Sequence, residues 1–190
     1  MLRIFLVSIL LFNTNVFAED LKKVYFGGGC FWCMEESFEK LTGVEKVISG
    51  YSGGKTENPT YEEVTYGNTG HLEVVEVIYD ASLISFEELL KNFWLNIDPF
   101  DPFGQFCDKG YSYRSAAFYT NQKEKNLIEK DFKRLEKKFN KKVVTYIKEF
   151  VKFYIAEDRH QDYYKVYFLN YLKYKKACRR EEILNRIWKM

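Results

Sequence analysis

The 190-residue sequence has little excess charge and few histidines. Its 29 basic and 27 acidic side chains leave a formal charge of +2, which removes any general electrostatic reason to bind nucleic acid. The two histidines, His71 and His160, show no paired spacing with each other or with the cysteines, so no metal site is predicted. Internal repeats and low-complexity linkers are also missing, and the chain is predicted to form one domain.

A long hydrophobic run is missing as well. The N-terminal run, Ile4 to Phe12, falls short of the roughly 20 residues that cross a bilayer. Arg3 precedes it and small residues lead to Ala18, which is the layout of a secretory signal peptide. We expect residues 1–18 to be removed, with an uncleaved membrane anchor as the alternative. Residues 19–190 would then be an exported domain, periplasmic or extracellular and not inserted in the membrane, whose four cysteines meet an oxidising compartment.

Hydrophobic periodicity predicts alternating strands and helices along this domain. Strands are predicted near residues 23–26, 44–54, 71–80, 114–120 and 146–158, and helices near residues 30–41, 85–97 and 121–140. The order strand, helix, strand, strand, helix, strand is typical of a ferredoxin-like α/β (α+β) two-layer sandwich, in which helices cover a mixed sheet. A tail of helix and loop follows from about residue 160. The long loop at residues 98–113 is predicted to be functional.

The segment FGGGCFWCME, residues 26–35, carries the strongest chemical signal. Three glycines place Cys30 at the start of a helix, where the partial positive charge of the N-terminus stabilises a thiolate and lowers the pKa of a cysteine. Phe31 belongs to the apolar stripe of that helix. Trp32 lies off the stripe, beside glutamates, which predicts contact with an apolar ligand.

Cys33 admits a second interpretation of this segment. Cys30 and Cys33 have the spacing of a thioredoxin-like disulfide oxidoreductase. That fold sets a cis-proline against its dithiol, whereas Pro59, Pro99 and Pro102 precede no apparent core strand. A Cys33 that packs inside the helix is therefore favoured. A third hypothesis is non-enzymatic, a secreted module whose aromatic side chains bind apolar peptides.

Five blocks of the sequence resemble the A-type peptide methionine sulfoxide reductases. They are GCFW at residues 29–32, GYSGGKTENPTYEEV at 50–64, GHLEVVEVIYD at 70–80, FCDKGYSYRSAAFY at 106–119 and AEDRHQDYY at 156–164. The blocks follow the family's order over nearly all of the predicted domain. The resemblance implies reduction of methionine S-sulfoxide, free or in proteins, by attack of a cysteine thiolate, through a sulfenic acid and then a disulfide. It implies no bound cofactor and an external thiol reductant.

The resemblance also assigns roles to residues of this chain. The residues that match the family's site are Cys30, Phe31, Trp32, Tyr61, Glu73, Asp108 and Tyr113. Cys30 is the nucleophile, Glu73 protonates the sulfoxide oxygen, and Asp108 orients the site. The two tyrosines donate hydrogen bonds to the oxygen, and the two adjacent aromatic residues enclose the S-methyl group. Periodicity alone leaves Glu73 and Glu76 equivalent, since each lies among apolar residues on one face of the same strand.

The resemblance identifies the resolving cysteine, which attacks the sulfenic acid, less closely than it identifies the other site residues. The family commonly draws it from the C-terminal tail, which implies Cys178, and neighbouring lysines and arginines should lower the pKa of its thiol. A disulfide between Cys30 and Cys178 is therefore predicted, with Cys33 and Cys107 as competitors. The implied partners are free methionine sulfoxide and oxidised exported proteins as substrates, and a thioredoxin-like electron donor.

Overall fold

The computed structural model describes residues 20–189. The predicted signal peptide, residues 1–18, lies outside them. The strands are β1 (Leu21–Gly27), β2 (Val44–Ser52), β3 (Leu72–Asp80), β4 (Gly104–Gln105), β5 (Asp108–Lys109), β6 (Ala116–Tyr119), β7 (Tyr146–Glu149) and β8 (Phe153–Ile155). The helices are α1 (Phe31–Glu39), α2 (Tyr61–Tyr66), α3 (Phe86–Leu95), α4 (Gln122–Phe139), α5 (Tyr163–Val166), α6 (Phe168–Ala177) and α7 (Arg180–Trp188). Among these helices, none combines the length and the apolarity that a membrane span requires.

The main sheet confirms the ferredoxin-like prediction. Within the described residues, six strands are ordered β7-β6-β1-β3-β2-β8, and every neighbouring pair is antiparallel except β6 and β7. The central four strands are connected through α1 and α3, whose apolar sides join one core cluster. The parallel β7 at one edge and the short β8 at the other make the sheet mixed and extend it beyond the basic unit.

Both faces of the central strands are buried, which explains why β3 has apolar residues on both sides. On the face that the helices cover, the ring of Phe26 stacks against those of Phe38 and Phe93, with centroids 5.3 and 4.9 Å apart. On the opposite face, Tyr25 stacks on Phe150 at 3.7 Å. Large aromatic side chains thus cover the sheet from both sides. A polar side chain in β3 is therefore buried whichever face it occupies.

Besides the short β4–β5 pair inside the predicted long loop, the structure differs from the sequence-based elements in three places. Helix α2 was not predicted, although Thr60 and Glu63 form a reciprocal capping box at its start. The single strand predicted over residues 146–158 is two strands, β7 and β8, at opposite edges of the sheet. The tail after residue 160 forms three helices, and Tyr171 of α6 is buried against Cys33 of α1.

Glu35 joins this tail to α1 from a buried position. Its side chain is 1% exposed, and its Oε1 accepts a hydrogen bond of 3.1 Å from the backbone N–H of Asp162. Burial raises the pKa of Glu35 to about 8, and the neighbouring charges of Glu39 and Asp162 act in the same direction. The Asp162 N–H and the charge of Lys165 oppose the shift. At neutral pH this carboxyl group is therefore mostly protonated.

The parent protein should lose folding stability between about pH 4 and pH 8 because Glu35 ionises, and Glu35→Gln should lose less over this range. The folded pKa of about 8 lies above the unfolded value of roughly 4.3. The stabilisation is therefore complete below the unfolded pKa and is lost as the pH rises through the folded one. Urea unfolding should show the parent protein losing up to about a few kcal/mol more than Glu35→Gln over this range. Glu45→Gln, at an exposed position of β2, is the control and should follow the parent; parallel curves for the parent and Glu35→Gln would contradict the prediction.

Candidate active site

A small cavity beyond the end of β1 brings the predicted site residues together. Its volume is about 100 Å³. Its lining residues are Cys30, Phe31, Trp32, Tyr61, Glu73, Asp108, Tyr113 and Tyr174. Every residue with a predicted catalytic or substrate-binding role belongs to this lining, whereas Cys178 does not and Tyr174 was not predicted. A larger cavity of about 500 Å³ along α1 and α7 is lined mostly by charged and amide side chains and lacks Cys30.

The turn between β1 and α1 requires glycine. Gly29 has a φ of +79°, in the left-handed region that glycine adopts without strain. A Cβ on Gly28 would lie 2.3 Å from the sulfur of Met34, whose side chain is fully buried in the core. This turn leaves Cys30 as the N-cap of α1. Its side chain therefore stands at the open end of the helix, where the cavity lies.

The structure distinguishes the two carboxyl groups that periodicity left equivalent. Glu73 is 2% exposed, and its Oε2 accepts a hydrogen bond of 3.0 Å from the backbone N–H of Phe31. Glu76 occupies the opposite face, where it accepts hydrogen bonds from the Tyr25 hydroxyl at 2.8 Å and from Lys23 at 3.1 Å. Of the two, Glu73 lines the cavity.

Burial also sets the protonation of Glu73. It raises the pKa of this carboxyl group well above its ordinary value, and the nearby Asp108 and Cys33 add to the shift. The hydrogen bond from the Phe31 N–H opposes it. Glu73 is therefore a neutral acid near pH 7 and can donate a proton into the cavity.

The lowered pKa that the sequence predicted for Cys30 is wrong for the folded protein. Burial raises the pKa of Cys30 well above its ordinary value, and the hydrogen bond to Cys33 and the proximity of Glu73 act in the same direction. The N–H of Phe31, at the helix N-terminus, is directed at Glu73. The desolvation of a buried thiolate therefore outweighs the helix charge, and Cys30 rests as a thiol.

Cys33 is the more acidic of the two neighbouring thiols. The hydrogen bond from Cys30 lowers its pKa to about 7 against the effect of burial, and the charge of Arg180 and a hydrogen bond from Tyr171 contribute. Arg180 is 3% exposed and contacts the backbone carbonyl of Asn96. The interpretation of Cys33 as a buried residue of the helix is confirmed, since it is 4% exposed.

Tyr61 and Tyr113 line the cavity from two separate segments of the chain. Tyr61 begins α2, and Tyr113 ends a short 3₁₀ turn in the long loop that the sequence marked as functional. Burial raises the pKa of both hydroxyls, so both keep their protons. Both can therefore donate hydrogen bonds into the cavity.

The segment that leads into the C-terminal tail holds these groups in place through residues that the sequence interpretation missed. Glu157 accepts hydrogen bonds from the Tyr61 backbone N–H and from the Tyr51 hydroxyl, each at 2.8 Å. His160 is buried and stacks on Tyr61 with ring centroids 4.4 Å apart. The block AEDRHQDYY contained both residues, but its periodicity gave no role to either. His71, in contrast, has a structural environment, because its ring nitrogens contact the backbone of Gly54 and Thr56.

The two adjacent aromatic residues of the lining are held differently. Phe31 is 1% exposed and belongs to the core as well as to the cavity. Trp32 is partly buried, and its ring lies 3.7 Å from that of Tyr163, with only 9° between the planes. The partner of Trp32 is thus a residue of the tail. The sequence predicted an apolar ligand there, and the tail provides part of that contact.

Asp108 connects the cavity to the remaining cysteines. Its carboxylate accepts a hydrogen bond from the Tyr174 hydroxyl. The preceding residue, Cys107, is exposed and forms a disulfide with Cys178, which caps the C-terminus of α6. Cys30 carries a free thiol. The predicted disulfide between Cys30 and Cys178 is therefore not the one in this structure, and it stays a prediction about a transient state.

Comparison with known proteins identifies the family. The family model described as peptide methionine sulfoxide reductase matches residues 22–190. A protein of Halalkalibacterium halodurans named peptide methionine sulfoxide reductase MsrA is 46% identical over 170 residues, which cover 88% of this chain and 97% of the relative. A protein of the same name from Listeria innocua is 44% identical over 173 residues, covering 90% and 98%.

Solved structures agree with this match. Reduced Mxr1 from Saccharomyces cerevisiae has a TM-score of 0.72 at 28% identity, covering 80% of this chain and 90% of that one. Methionine sulfoxide reductase A of Corynebacterium diphtheriae has a TM-score of 0.69 at 33% identity, covering 76% and 74%. A complex of Mxr1 with Trx2 shares the fold, with a TM-score of 0.53 at 21% identity and coverage of 78% and 91%. With the cavity that gathers Cys30, Glu73 and two tyrosines, these matches show that the chain belongs to the peptide methionine sulfoxide reductase family.

Proposed function

We propose that the protein reduces methionine S-sulfoxide, free and within proteins, to methionine. One observation carries this proposal: the cavity places the Cys30 thiol among a neutral Glu73 and the hydroxyls of Tyr61 and Tyr113. All four groups are uncharged near pH 7, which suits an uncharged, strongly polar sulfoxide. Phe31 and the adjacent tryptophan supply an apolar wall for the S-methyl group.

The first step transfers oxygen from the substrate to Cys30. The Cys30 sulfur attacks the sulfoxide sulfur, and Glu73 gives its proton to the sulfoxide oxygen as the S–O bond breaks. The two tyrosine hydroxyls donate hydrogen bonds to the same oxygen and stabilise the charge that develops on it. Methionine leaves, the oxygen stays on Cys30 as a sulfenic acid, and the proton released by the thiol restores Glu73. Thiol and sulfoxide are thus converted to sulfenic acid and thioether, with no net gain or loss of protons.

The second stage removes the sulfenic acid in the order Cys30, Cys178, Cys107. The Cys178 thiol attacks the Cys30 sulfur, which forms a disulfide and releases water. Cys107 then attacks the Cys178 sulfur and frees Cys30, which leaves the Cys107–Cys178 disulfide that the structure contains. Both cysteines of this disulfide lie near the Cys30 cavity, because Asp108, which follows Cys107 directly, belongs to the cavity lining.

An external dithiol closes the cycle by supplying two electrons to this disulfide. Cys107 is exposed, whereas Cys30, Cys33 and Cys178 are each at most 6% exposed, so a protein reductant reaches Cys107 most readily. The Mxr1 complex with Trx2 supports a thioredoxin-like donor. A dithiol function of Cys30 and Cys33 alone is not favoured, since the structure pairs Cys107 with Cys178 and leaves the Cys30 and Cys33 thiols free.

The repair of exported proteins is the setting we propose for this activity. Its support is the layout of residues 1–18, with Arg3, the apolar run and Ala18. N-terminal sequencing of the protein from the exported fraction of its cells should begin at Glu19. A chain that keeps Met1 and stays with the cytosolic proteins would contradict export.

Glu73→Gln should lower methionine release by roughly 10²–10⁴-fold, because glutamine keeps the shape of the side chain but has no acidic proton. The measurement is the rate of methionine formation from free methionine S-sulfoxide with dithiothreitol as reductant. Glu76→Gln is the matched control on the same strand, and it should retain most of the rate. Cys30→Ser should form no methionine. A larger loss in Glu76→Gln than in Glu73→Gln would show that the acid is misassigned.

Cys107→Ser should stop the proposed series of disulfide exchanges at its first disulfide, Cys30–Cys178. The fully reduced enzyme receives one equivalent of methionine sulfoxide, is blocked with iodoacetamide, and its disulfides are mapped by mass spectrometry. The parent should yield Cys107–Cys178, and Cys107→Ser should accumulate Cys30–Cys178. Cys178→Ser should still release one methionine per enzyme but should nearly lose turnover with thioredoxin. Cys33→Ser is the control and should keep both disulfides; a dominant Cys30–Cys33 bond in Cys107→Ser would refute the proposed order.

A further inference from the structure

A buried positive charge without a carboxylate partner lies near the Cys33 thiol. Arg180, the first residue of α7, is 3% exposed. Its Nη2 donates to the backbone carbonyl of Asn96 at 2.5 Å, and its guanidinium lies 4.4 Å from the centroid of the Phe106 ring. Within residues 20–189, no aspartate or glutamate forms an ion pair with it. A guanidinium that is removed from water needs an anion nearby, because neither a carbonyl group nor a ring neutralises its charge.

Cys33 can supply this anion. Cys33 and Arg180 line the same cavity along α1 and α7, and Cys33 is 4% exposed. The hydrogen bond from Cys30 and the charge of Arg180 lower the pKa of Cys33 to about 7, against the effect of burial. At pH 7 roughly half of the Cys33 side chains are therefore thiolates.

The other charged side chains around Cys33 on α1, α6 and α7 are already paired. Glu36, on the same helix as Cys33, binds Lys40 at 2.7 Å and Lys175 at 2.9 Å. Glu181 follows the guanidinium in sequence, but its side chain is 75% exposed and pairs with Lys175 at 3.0 Å. The remaining titratable groups that act on Cys33 are Cys30, Asp108 and Tyr171.

Asp108 is the other acidic group on which the charge of Arg180 acts. Burial raises the pKa of Asp108, and the guanidinium opposes that shift only in part. Its carboxylate already accepts a hydrogen bond from the Tyr174 hydroxyl. The negative charge of Asp108 also disfavours the Cys33 thiolate. The guanidinium is thus the cation that keeps Cys33 ionisable near neutral pH in a buried position.

Cys33 contacts the proposed nucleophile directly. Cys30 caps α1, and the backbone N–H of Cys33 donates to its carbonyl at 3.2 Å, which closes the first turn of the helix. The two side chains belong to one buried cluster, in which the Cys30 thiol donates a hydrogen bond to the Cys33 sulfur. The proton that Cys30 loses when it attacks is therefore already directed at Cys33.

We propose that the Cys33 thiolate, with Arg180 as its counter-ion, is the general base that removes the proton of Cys30 as the Cys30 sulfur attacks the sulfoxide. The inference rests on the proposed function and deepens it, since it names the base that this step requires. A buried thiol is a poor nucleophile, because the thiolate is the reactive form of cysteine. A base whose pKa lies near the working pH is the most effective one.

Atoms and electrons balance in this step. The S–H bond of Cys30 breaks and its proton goes to Cys33, while Glu73 protonates the sulfoxide oxygen as the S–O bond breaks. Methionine leaves, and Cys30 ends as a sulfenic acid, Cys33 as a thiol and Glu73 as a carboxylate. The Cys30 sulfur is oxidised by two electrons and the substrate sulfur is reduced by two. Transfer of the proton from Cys33 to Glu73 then restores both groups.

The first test measures the rate of one turnover against pH, with fully reduced enzyme and one equivalent of free methionine S-sulfoxide. In the parent the rate should rise with pH through about 7 as Cys33 ionises. Cys33→Ser should be roughly 10²-fold slower at pH 7. It should still complete its turnover, and its rate should rise only at the higher pH where Cys30 itself ionises. An unchanged rate and pH profile in Cys33→Ser would overturn the inference.

Arg180→Met removes the counter-ion but keeps a long side chain. Its rate at pH 7 should fall about tenfold and should reach the parent rate at higher pH, because the pKa of Cys33 rises. Arg180→Lys keeps the charge and should restore the parent profile. Arg179→Met is the control, since Arg179 is exposed and pairs with Glu182 at 2.6 Å, and it should match the parent. A loss in Arg180→Met that is equal at every pH would show a structural role and overturn the inference.

An inactive variant gives the pKa of Cys33 without turnover. In Cys30→Ser with the Cys107–Cys178 disulfide formed, Cys33 is the only free thiol of the four cysteines. Its thiolate absorbance in the ultraviolet should appear at about pH 7. Adding Arg180→Met should move this transition upward by about one pH unit or more.

A Cys33 that ionises only above about pH 8.5, the ordinary value of a cysteine, would overturn the inference. So would a Cys30–Cys33 disulfide as the main product of the parent's single turnover, which would make Cys33 the residue that attacks the sulfenic acid. Failure of the parent to release methionine from the free sulfoxide would instead refute the proposed function.

Discussion

The hydrogen bond from the Phe31 backbone N–H to Glu73 is the contact on which the rest of the site depends. The first N–H groups of a helix have no partner within the helix, and the N-cap side chain usually accepts from one of them. Here the N-cap is Cys30, whose side chain makes no capping hydrogen bond. A carboxyl group from β3 takes over that role. The Cys30 thiol is thereby left without a capping role. The side chains of Cys30 and Glu73, which we propose as nucleophile and acid, are held at a fixed separation by the sheet.

Burial then determines the protonation of the titratable side chains around this contact. Glu73, Tyr61 and Tyr113 all have raised pKa values because each side chain is wholly or partly buried, and Cys30 follows the same rule. The enclosure is completed by the tail. It is joined to α1 through Glu35 and to the long loop through Tyr174 and Asp108, and Glu157 binds the start of α2. A site built only from the ferredoxin-like unit would be open to water, and its acid would ionise near neutral pH.

The four cysteines differ in solvent exposure, from the buried interior to the surface. Cys30 and Cys33 lie together in one buried cluster, Cys178 is buried at the end of α6, and Cys107 is exposed. This arrangement suits the proposed cycle, in which Cys30 is oxidised in a buried cavity and a protein reductant requires an accessible sulfur. The buried Arg180 beside Cys33 adds a fixed positive charge to the interior end of this series. Because Arg180 belongs to α7, the C-terminal helix contributes a positive charge near the site.

The sequence by itself determined the order of the central strands and helices along the chain and the glycine turn before Cys30. Its resemblance to the family added seven of the eight residues that line the cavity, all except Tyr174. These features depend on local periodicity, on local backbone requirements and on motifs quoted directly from the chain. Periodicity did not determine which of Glu73 and Glu76 faces the cavity, because β3 is buried on both faces and the neighbours of each glutamate on its own face are apolar. It also failed for the pKa of Cys30 and for the partners of Cys178 and Trp32. Those depend on desolvation and on contacts between residues more than 100 positions apart, such as Trp32 with Tyr163, or 71 apart for the disulfide. Only the packing of the tail on α1 decides them, since no local pattern encodes which side chain will exclude water from another.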